Sequence, residues 1–193
     1  MRIFAIARHA QTLLNVEHKV NGDWTVDVPL TAQGEDEARR LGAQVAHLPL
    51  ELCIHTRFPR TSRTAGLALD GRDVPLAVEP LLDDLYIGKL DGRSVDDYRA
   101  WKEEHVRSDP FPGGEALDDA AARYAAGYRK LLEGSHAAVL VVCHEIPLRY
   151  ALNAASDSND LDWPVHAISN ATPYFFDEHA LERAADRIET LAG

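Results

Sequence analysis

The chain is predicted to be an α/β protein, a three-layer α/β/α sandwich around a mostly parallel central sheet, with a short helical lid insertion. Three observations predict it. Arg2 to Arg8 (RIFAIAR) and Ala137 to Cys143 (AAVLVVC) are short apolar runs with the length and β-branched content of strands buried on both faces. Helical periods alternate with further strand candidates, as in a parallel sheet covered by crossover helices. No composition shift or linker divides the 193 residues, so 1–193 is expected to form one domain, with the lid at about residues 84–116.

In chain order, Arg2 to Arg8 comes first as a central strand. After a Thr31 cap, Ala38, Leu41, Gly42, Val45 and Leu48 follow a 3.6-residue spacing and predict a helix. Leu50 to Thr56 (LELCIHT) and Val74 to Val78 are weaker strand candidates, and Thr172 to Asp177 (TPYFFD) is another. Arg93 to Arg107 spaces Val95, Tyr98, Trp101 and His105 as the packed face of an amphipathic surface helix. Leu117, Ala120, Ala121, Tyr124, Tyr128, Leu131 and Leu132 give the strongest helical period, and Leu181, Ala185, Ile188 and Leu191 a last one. Ser108 to Gly114 and Ser156 to Pro164 read as loops from their Pro, Gly, Ser and Asp content.

Composition narrows the function. Apolar residues at 46% and charged residues at 26% exclude collagen-like, low-complexity and wholly disordered chains. No apolar run approaches the roughly 18 residues of a membrane span, and no secretory leader is expected. Two cysteines, Cys53 and Cys143, build no disulfide framework and no Cys-x-x-Cys site, so a reducing cytoplasm is the expected compartment. Thirty-one acids against twenty bases give a net charge of −11, which disfavours nucleic acid and anionic lipid as partners. A small phosphorylated metabolite fits better; a homodimer is possible but not readable from the sequence.

Ligands of open α/β sheets bind beyond the carboxyl ends of the strands. There the first strand runs into Arg8-His9, the 50–56 strand into His55-Thr56-Arg57 with Arg60 beyond, and the 137–143 strand into Cys143-His144. A neutral histidine is a nucleophile and an arginine fork matches phosphate oxygens, so this set suits phosphoryl chemistry. Taken by itself, a histidine after a strand is equally compatible with an ordinary loop residue.

Arg8-His9-Ala10-Gln11-Thr12-x-x-Asn15 resembles the opening signature of the histidine phosphatase superfamily, the phosphoglycerate mutase-like proteins. Pro29-Leu30-Thr31-x-x-Gly34, Arg60-x-x-x-Thr64-Ala65, Asp84-x-x-x-Gly88-x-x-Asp91-Gly92, Phe111-Pro112-Gly113-Gly114-Glu115 and Val141-Val142-Cys143-His144 resemble its further segments in the same order, so the likeness runs from residue 2 to about 150. The resemblance implies a phosphatase acting on a small phosphomonoester. His9 would be the phosphorylated nucleophile, and Arg8, Arg60 and His144, the last as a cation, would surround the phosphate. Asp84 would serve as general acid and base, and Asn15 would orient the phosphate or His9. It implies neither metal nor cofactor. Three departures stand out: Ala10 replaces the usual Gly, Asp84 stands where many members carry Glu, and Glu145 follows His144 where Gly is usual. Either Asp84 acts directly, or Asp83 or a water does, or both aspartates are surface loop carboxylates. Glu145 either turns away from the phosphate or contacts a substrate hydroxyl or amine.

Other readings compete. Cys143-x5-Arg149 spells the pattern of cysteine-based phosphatases, yet the intervening His144-Glu145-Ile146-Pro147-Leu148 has no glycine and a proline without an N–H, unlike a phosphate cradle. Cys143 is therefore read as a buried strand residue. His144-Glu145 opens like a zinc-protease helix, but Leu148 stands where its second histidine would. A phosphoglycerate mutase needs a larger cationic insert than Arg93 to Arg107, so hydrolysis is favoured over mutase activity; a phosphohistidine-protein phosphatase is the other alternative. A non-catalytic phosphate-binding module is disfavoured because Arg8, His9, Arg60 and His144 are all present. His18, His47, His105, His136, His166 and His179 are read as solvated or loop residues and His55 stays open, while Trp24, Trp101 and Trp163 are read as core or lid packing.

Overall fold

A computed structural model describes residues 2–163 and 168–193. Pro164, the end of a predicted loop, and His166 lie outside the described residues. The elements run β1 (Ile3–Arg8), a single helical turn α1 (Leu13–Val16), α2 (Ala32–Gln44), β2 (Leu52–His55), α3 (Pro59–Ala68) and β3 (Leu76–Val78). They continue with α4 (Val95–Glu104), α5 (Leu117–Glu133), β4 (Ala138–Cys143), α6 (Glu145–Ala155), β5 (Pro173–Asp177) and α7 (Glu178–Ala192). The sheet order is β3-β2-β4-β1-β5, parallel throughout except for β5, which pairs antiparallel with β1 at one edge. All five predicted strands form.

Every residue of β4 is buried, which is why its sequence shows no polar alternation. Alternate residues serve opposite layers. Phe4 and Ile6 of β1 join Val139, Val141 and Cys143 of β4 against α5, α6 and α7. Ala5 and Ala7 join Leu140 and Val142 against α2 and α3, meeting Ala38, Leu41, Ala65 and Ala68. Each fully buried Phe, Ile or Leu in these layers contributes about 1.5–3 kcal/mol of hydrophobic transfer. The small residues on the second face let α2 and α3 approach the sheet closely. Gly34, in the first turn of α2, packs on the loop after β1: a Cβ there would stand 2.1 Å from the Gln11 carbonyl oxygen. The Thr31 side chain caps α2 by accepting from Gly34 N at 2.9 Å, as its sequence position predicts.

The last helix, capped by Asp177, buries Leu181, Ala184, Ala185 and Ile188 against α5 and α6 of its own sheet layer. In α4 part of the predicted face forms: Tyr98 stacks on Phe111 and Trp101 packs tilted against it, with ring centroids 5.5 and 4.0 Å apart, whereas His105 lies exposed just beyond the helix, stacked on Trp101 at 4.0 Å. Trp101 thus packs in the insertion, but Trp163, 68% exposed, belongs to no core. No helix among the described residues is long and apolar enough to cross a membrane.

Candidate active site

Parallel pairing of β1 with β4 sets Arg8 opposite Cys143, and His9 N donates to the Cys143 carbonyl at 2.9 Å. The next residue of each strand is a histidine, so the register itself puts His9 and His144 side by side, ring centroids 5.5 Å apart and edge to face. Both rings are buried. The end of β2 supplies Thr56, whose hydroxyl meets His144 Nε2 at 2.9 Å. The first turn of α3 supplies Arg60.

Hydrogen bonds fix the tautomers. His9 Nδ1 lies 2.8 Å from the Ala10 carbonyl oxygen, which can only accept, so Nδ1 carries the proton and Nε2 keeps its lone pair. An arginine N–H can only donate, so the 3.1 Å contact from Arg60 Nη2 makes His144 Nδ1 an acceptor and leaves Nε2–H to donate to Thr56. Burial, then the charges of Arg60 and Arg8, hold the His9 pKa well below the usual histidine value. Burial, then Arg60, His9, Arg123 and Arg8, do the same to His144. These effects favour the neutral ring at His144 over the cation that the resemblance implies.

Arg60 is buried and spends its donors within the site: Nη1 reaches Asn21 Oδ1 at 2.5 Å, and Nη2 reaches Asp84 Oδ2 at 2.8 Å. Asp84 Oδ2 also lies 3.4 Å from His144 Nδ1. Burial raises the Asp84 pKa against the opposing pull of Arg60. Asp83 points elsewhere. It accepts from Arg57 N and Nε at 2.9 and 2.5 Å, and the Arg57 guanidinium in turn lies over Trp24. Of the two aspartates, only Asp84 lines the pocket.

That pocket, about 220 Å³, is lined by Arg8, His9, Asn15, Arg60 and Asp84, with Lys19, Arg99, Glu145, Arg149 and apolar side chains around them. Its cations stand out on a chain of net charge −11. Arg8 Nη1 is 2.8 Å from Glu145 Oε2, and Glu145 also pairs with Arg149 one helical turn along α6. Glu145 therefore faces the pocket rather than turning away from it. Asn15 closes a capping box with Thr12, its Oδ1 accepting from Thr12 N at 3.0 Å, so what it can offer a ligand is its Nδ2 donor. His55 is tied to the Thr56 carbonyl and lines no part of the pocket. Cys143 is buried in the hydrophobic layer, and burial pushes its thiol up to about 12. Its Cys-x5-Arg partner Arg149 lies on α6 bound to Glu145, and no phosphate loop joins them.

Several residues to which the sequence assigns no role support the site, Thr64, Gly88 and Glu115 from the resembling segments among them. Asn170 Nδ2 donates to the His9 carbonyl at 2.8 Å, and Thr64 Oγ1 accepts from Ala10 N at 3.0 Å, so the backbone at His9 and Ala10 is held from both sides. Arg123 donates to the carbonyls of Leu81 and Asp83 at 3.0 and 2.9 Å and to that of Asp84 at 3.3 Å, and Glu115 grips Arg123 at 2.5 Å. This pair braces the segment carrying Asp84 against α5. Gly88 lets that segment pass the Pro-Gly-Gly loop: its φ is +53°, and a Cβ there would stand 2.4 Å from the Pro112 carbonyl oxygen.

Paired histidines flanked by arginines and a carboxyl, at the carboxyl edge of a parallel sheet, form a site whose residue types suit phosphoryl chemistry. The model of the histidine phosphatase superfamily (branch 1) matches residues 4–187, and the chain belongs to that superfamily. Among curated relatives, the 2,3-bisphosphoglycerate-dependent phosphoglycerate mutase 2 of Gloeobacter violaceus is 34% identical over 133 residues, 64% of this chain and 60% of that protein. The match thus spans less than two thirds of that relative's length. Among solved structures, a putative alpha-ribazole-5'-P phosphatase from Escherichia coli superposes with a TM-score of 0.79 at 21% identity, covering 92% of this chain and 91% of that one. A mycobacterial glucosyl-3-phosphoglycerate phosphatase superposes with a TM-score of 0.76 at 20% identity, covering 91% and 92%. At those identities the two likenesses establish the fold. The family is one of hydrolases and phosphotransferases.

Proposed function

We propose that the protein hydrolyses a small phosphomonoester through a phosphohistidine on His9, without a metal ion. The observation that carries the reading is the His9 tautomer: with Nδ1–H committed to Ala10, the unprotonated Nε2 is the ring's nucleophile, and it stays so at mildly acid pH because the ring resists protonation. As Nε2 bonds to phosphorus, the bond to the leaving oxygen breaks and Asp84 gives that oxygen its proton. Water then attacks the phosphorus, the Asp84 carboxylate takes the water's proton, and the P–N bond breaks to release phosphate and the neutral ring.

Arg8 and Arg60 stabilise the equatorial oxygens, where the transferring group carries its charge. His144, its pKa lowered by burial first and then by the charges of Arg60, His9, Arg123 and Arg8, serves the phosphate end through the Arg60 guanidinium that its Nδ1 accepts from. Asn15 adds its Nδ2. Hydrolysis is favoured over mutase transfer because the insertion over the pocket carries a single ten-residue helix, Val95–Glu104.

The test is release of inorganic phosphate from p-nitrophenyl phosphate in the presence of chelator, for wild type, His9→Ala and Cys143→Ser. Turnover that survives chelator and Cys143→Ser but vanishes in His9→Ala is the expected pattern. Turnover lost with Cys143→Ser, or lost to chelator, defeats the reading.

A further inference from the structure

The protein itself occupies most of the N–H donors of Arg60. The two hydrogens of Nη2 are shared among the Asn21 carbonyl oxygen at 3.1 Å, Asp84 Oδ2 at 2.8 Å and His144 Nδ1 at 3.1 Å. Nε is buried without a partner. Nη1 gives one hydrogen to Asn21 Oδ1 at 2.5 Å and meets no other acceptor among the described residues. The second N–H of Nη1 is therefore the donor that Arg60 can still offer to a ligand of the pocket, which Arg60 and Asn21 both line. A guanidinium is planar, so pinning one hydrogen of Nη1 fixes the direction of the other. Asn21 is held in its turn. Arginine only donates, so Oδ1 faces Arg60, and Nδ2 lies 3.4 Å from Asp91 Oδ1 and 3.2 Å from the Asp23 carbonyl oxygen. Asp91 Oδ1 also accepts from Gly22 N at 2.6 Å. Gly92 N donates to the Val20 carbonyl at 2.9 Å and Val20 N to the Arg93 carbonyl at 3.0 Å, so the chain on both sides of Asn21 is tied to residues 91–93 of the insertion.

We infer that Asn21 is the positioning residue of Arg60: through Oδ1 and its backbone carbonyl it accepts from both nitrogens at the end of the guanidinium fork, and so aims the remaining Nη1 hydrogen at the phosphate of the substrate. This rests on the pocket being a phosphomonoester site with Arg60 among the cations that bind the phosphate. Asn21 acts through Arg60 and not by touching the phosphate. With its side chain cut back to Ala, the charge of Arg60 remains and Asp84 still pairs with Nη2, but the Nη1 side of the fork is no longer held. A hydrogen bond to a charged donor is directional, so a fork that turns loses contact with the phosphate oxygen although its charge stays in place. Through Asp91 the same contact makes the aim of Arg60 depend on how the insertion seats.

The experiment is a double-mutant cycle read by calorimetric titration with inorganic phosphate, for wild type, Asn21→Ala, Arg60→Ala and the double variant. Asn21→Ala is expected to weaken phosphate binding roughly tenfold, and Arg60→Ala at least as much. The double variant should bind within about twofold of Arg60→Ala, because no fork is left to orient. Should Arg60→Ala not fold, Arg60→Lys carries the same cycle: it keeps a cation beside Asp84 but has no planar fork, so Asn21→Ala should then cost less than about twofold. Phosphate affinity left unchanged by Asn21→Ala, or by Arg60→Ala, overturns the inference. So does an Asn21→Ala loss that recurs in full in the Arg60 variant, which would make Asn21 a direct ligand or a merely structural residue. A cycle that comes out as expected in a protein that hydrolyses no ester defeats the hydrolase reading alone; a wild type that binds no phosphate defeats both.

Discussion

Asp84→Asn separates the chemical role of this carboxyl from a structural one. Asp84 Oδ2 accepts from Arg60 at 2.8 Å and Oδ1 from Leu85 N at 3.0 Å, so an amide, with one acceptor oxygen, gives up one of these bonds. Such a loss costs about 0.5–1.5 kcal/mol. Against it stands the raised pKa of the buried carboxyl. A folded-state pKa above the unfolded one means that ionisation costs stability once pH rises past the ordinary carboxylate value, and asparagine removes that cost. The two effects oppose each other, so the folding free energy at neutral pH should change by no more than about 1 kcal/mol. Catalysis should change much more. Loss of a general acid slows proton-dependent steps by roughly 10²–10⁴-fold. The full loss is expected for alkyl phosphates, whose alkoxides leave poorly without a proton, and a much smaller one for p-nitrophenyl phosphate. Measurement of kcat/KM across alkyl and aryl phosphates, with a thermal melt of each protein, tests both halves. Equal slowing on all leaving groups, or a destabilisation beyond about 3 kcal/mol, would show that Asp84 is a structural partner of Arg60 instead.

Other outcomes follow from the same contacts. Because burial depresses the folded-state pKa of His9 and His144, the unfolded chain binds more protons just below the usual histidine value; stability should therefore be complete above about pH 6.5 and fall as pH drops, by up to about 1.4 kcal/mol per pH unit for each ring, as denaturant titrations from pH 8 to 5 would show. Arg123→Met frees the carbonyls of Leu81, Asp83 and Asp84, and should lower kcat more than it raises KM for phenyl phosphate, with a stability loss of about 1–3 kcal/mol. An unchanged kcat would remove Arg123 from the positioning of Asp84. Gly88→Ala drives a Cβ to 2.4 Å from the Pro112 carbonyl at a positive φ, so a melting temperature equal to wild type would contradict the close approach of the two loops.

The sequence was legible where burial imposes a pattern. β1 and β4 carry apolar residues on both faces and declare themselves, and because parallel strands end together at one edge, His9 and His144 were brought to a common point before any coordinates. α3 and α6 were not read. The sequence of α3 (PRTSRTAGLA) buries Arg60, Thr61 and Thr64 along with two alanines, so its inward face is polar because it serves the site, and no apolar stripe marks it. In α6 Pro147 falls in the first helical turn, where its missing N–H would have had no helical partner anyway, but a proline so early gives no helical signal in the sequence. The residues that hold the site together are joined over 39 residues for Asn21 and Arg60 and 161 for His9 and Asn170, separations at which neither spacing nor periodicity carries a signal. Charge states were the other gap. His144 had the residue type of a phosphate-binding cation, and only its burial, with Arg60, His9 and Arg123 beside it, shows that its pKa is pushed down.

The most direct test of the central claim is to quench the protein with base within milliseconds of mixing it with p-nitrophenyl phosphate and determine the intact mass, then locate any added phosphoryl group by peptide mapping. The account predicts a phosphoryl group that survives base, is lost in acid, and maps to the peptide containing His9, with none on His9→Ala. A phosphoryl group on Cys143, or phosphate released as fast from His9→Ala as from wild type, would contradict it.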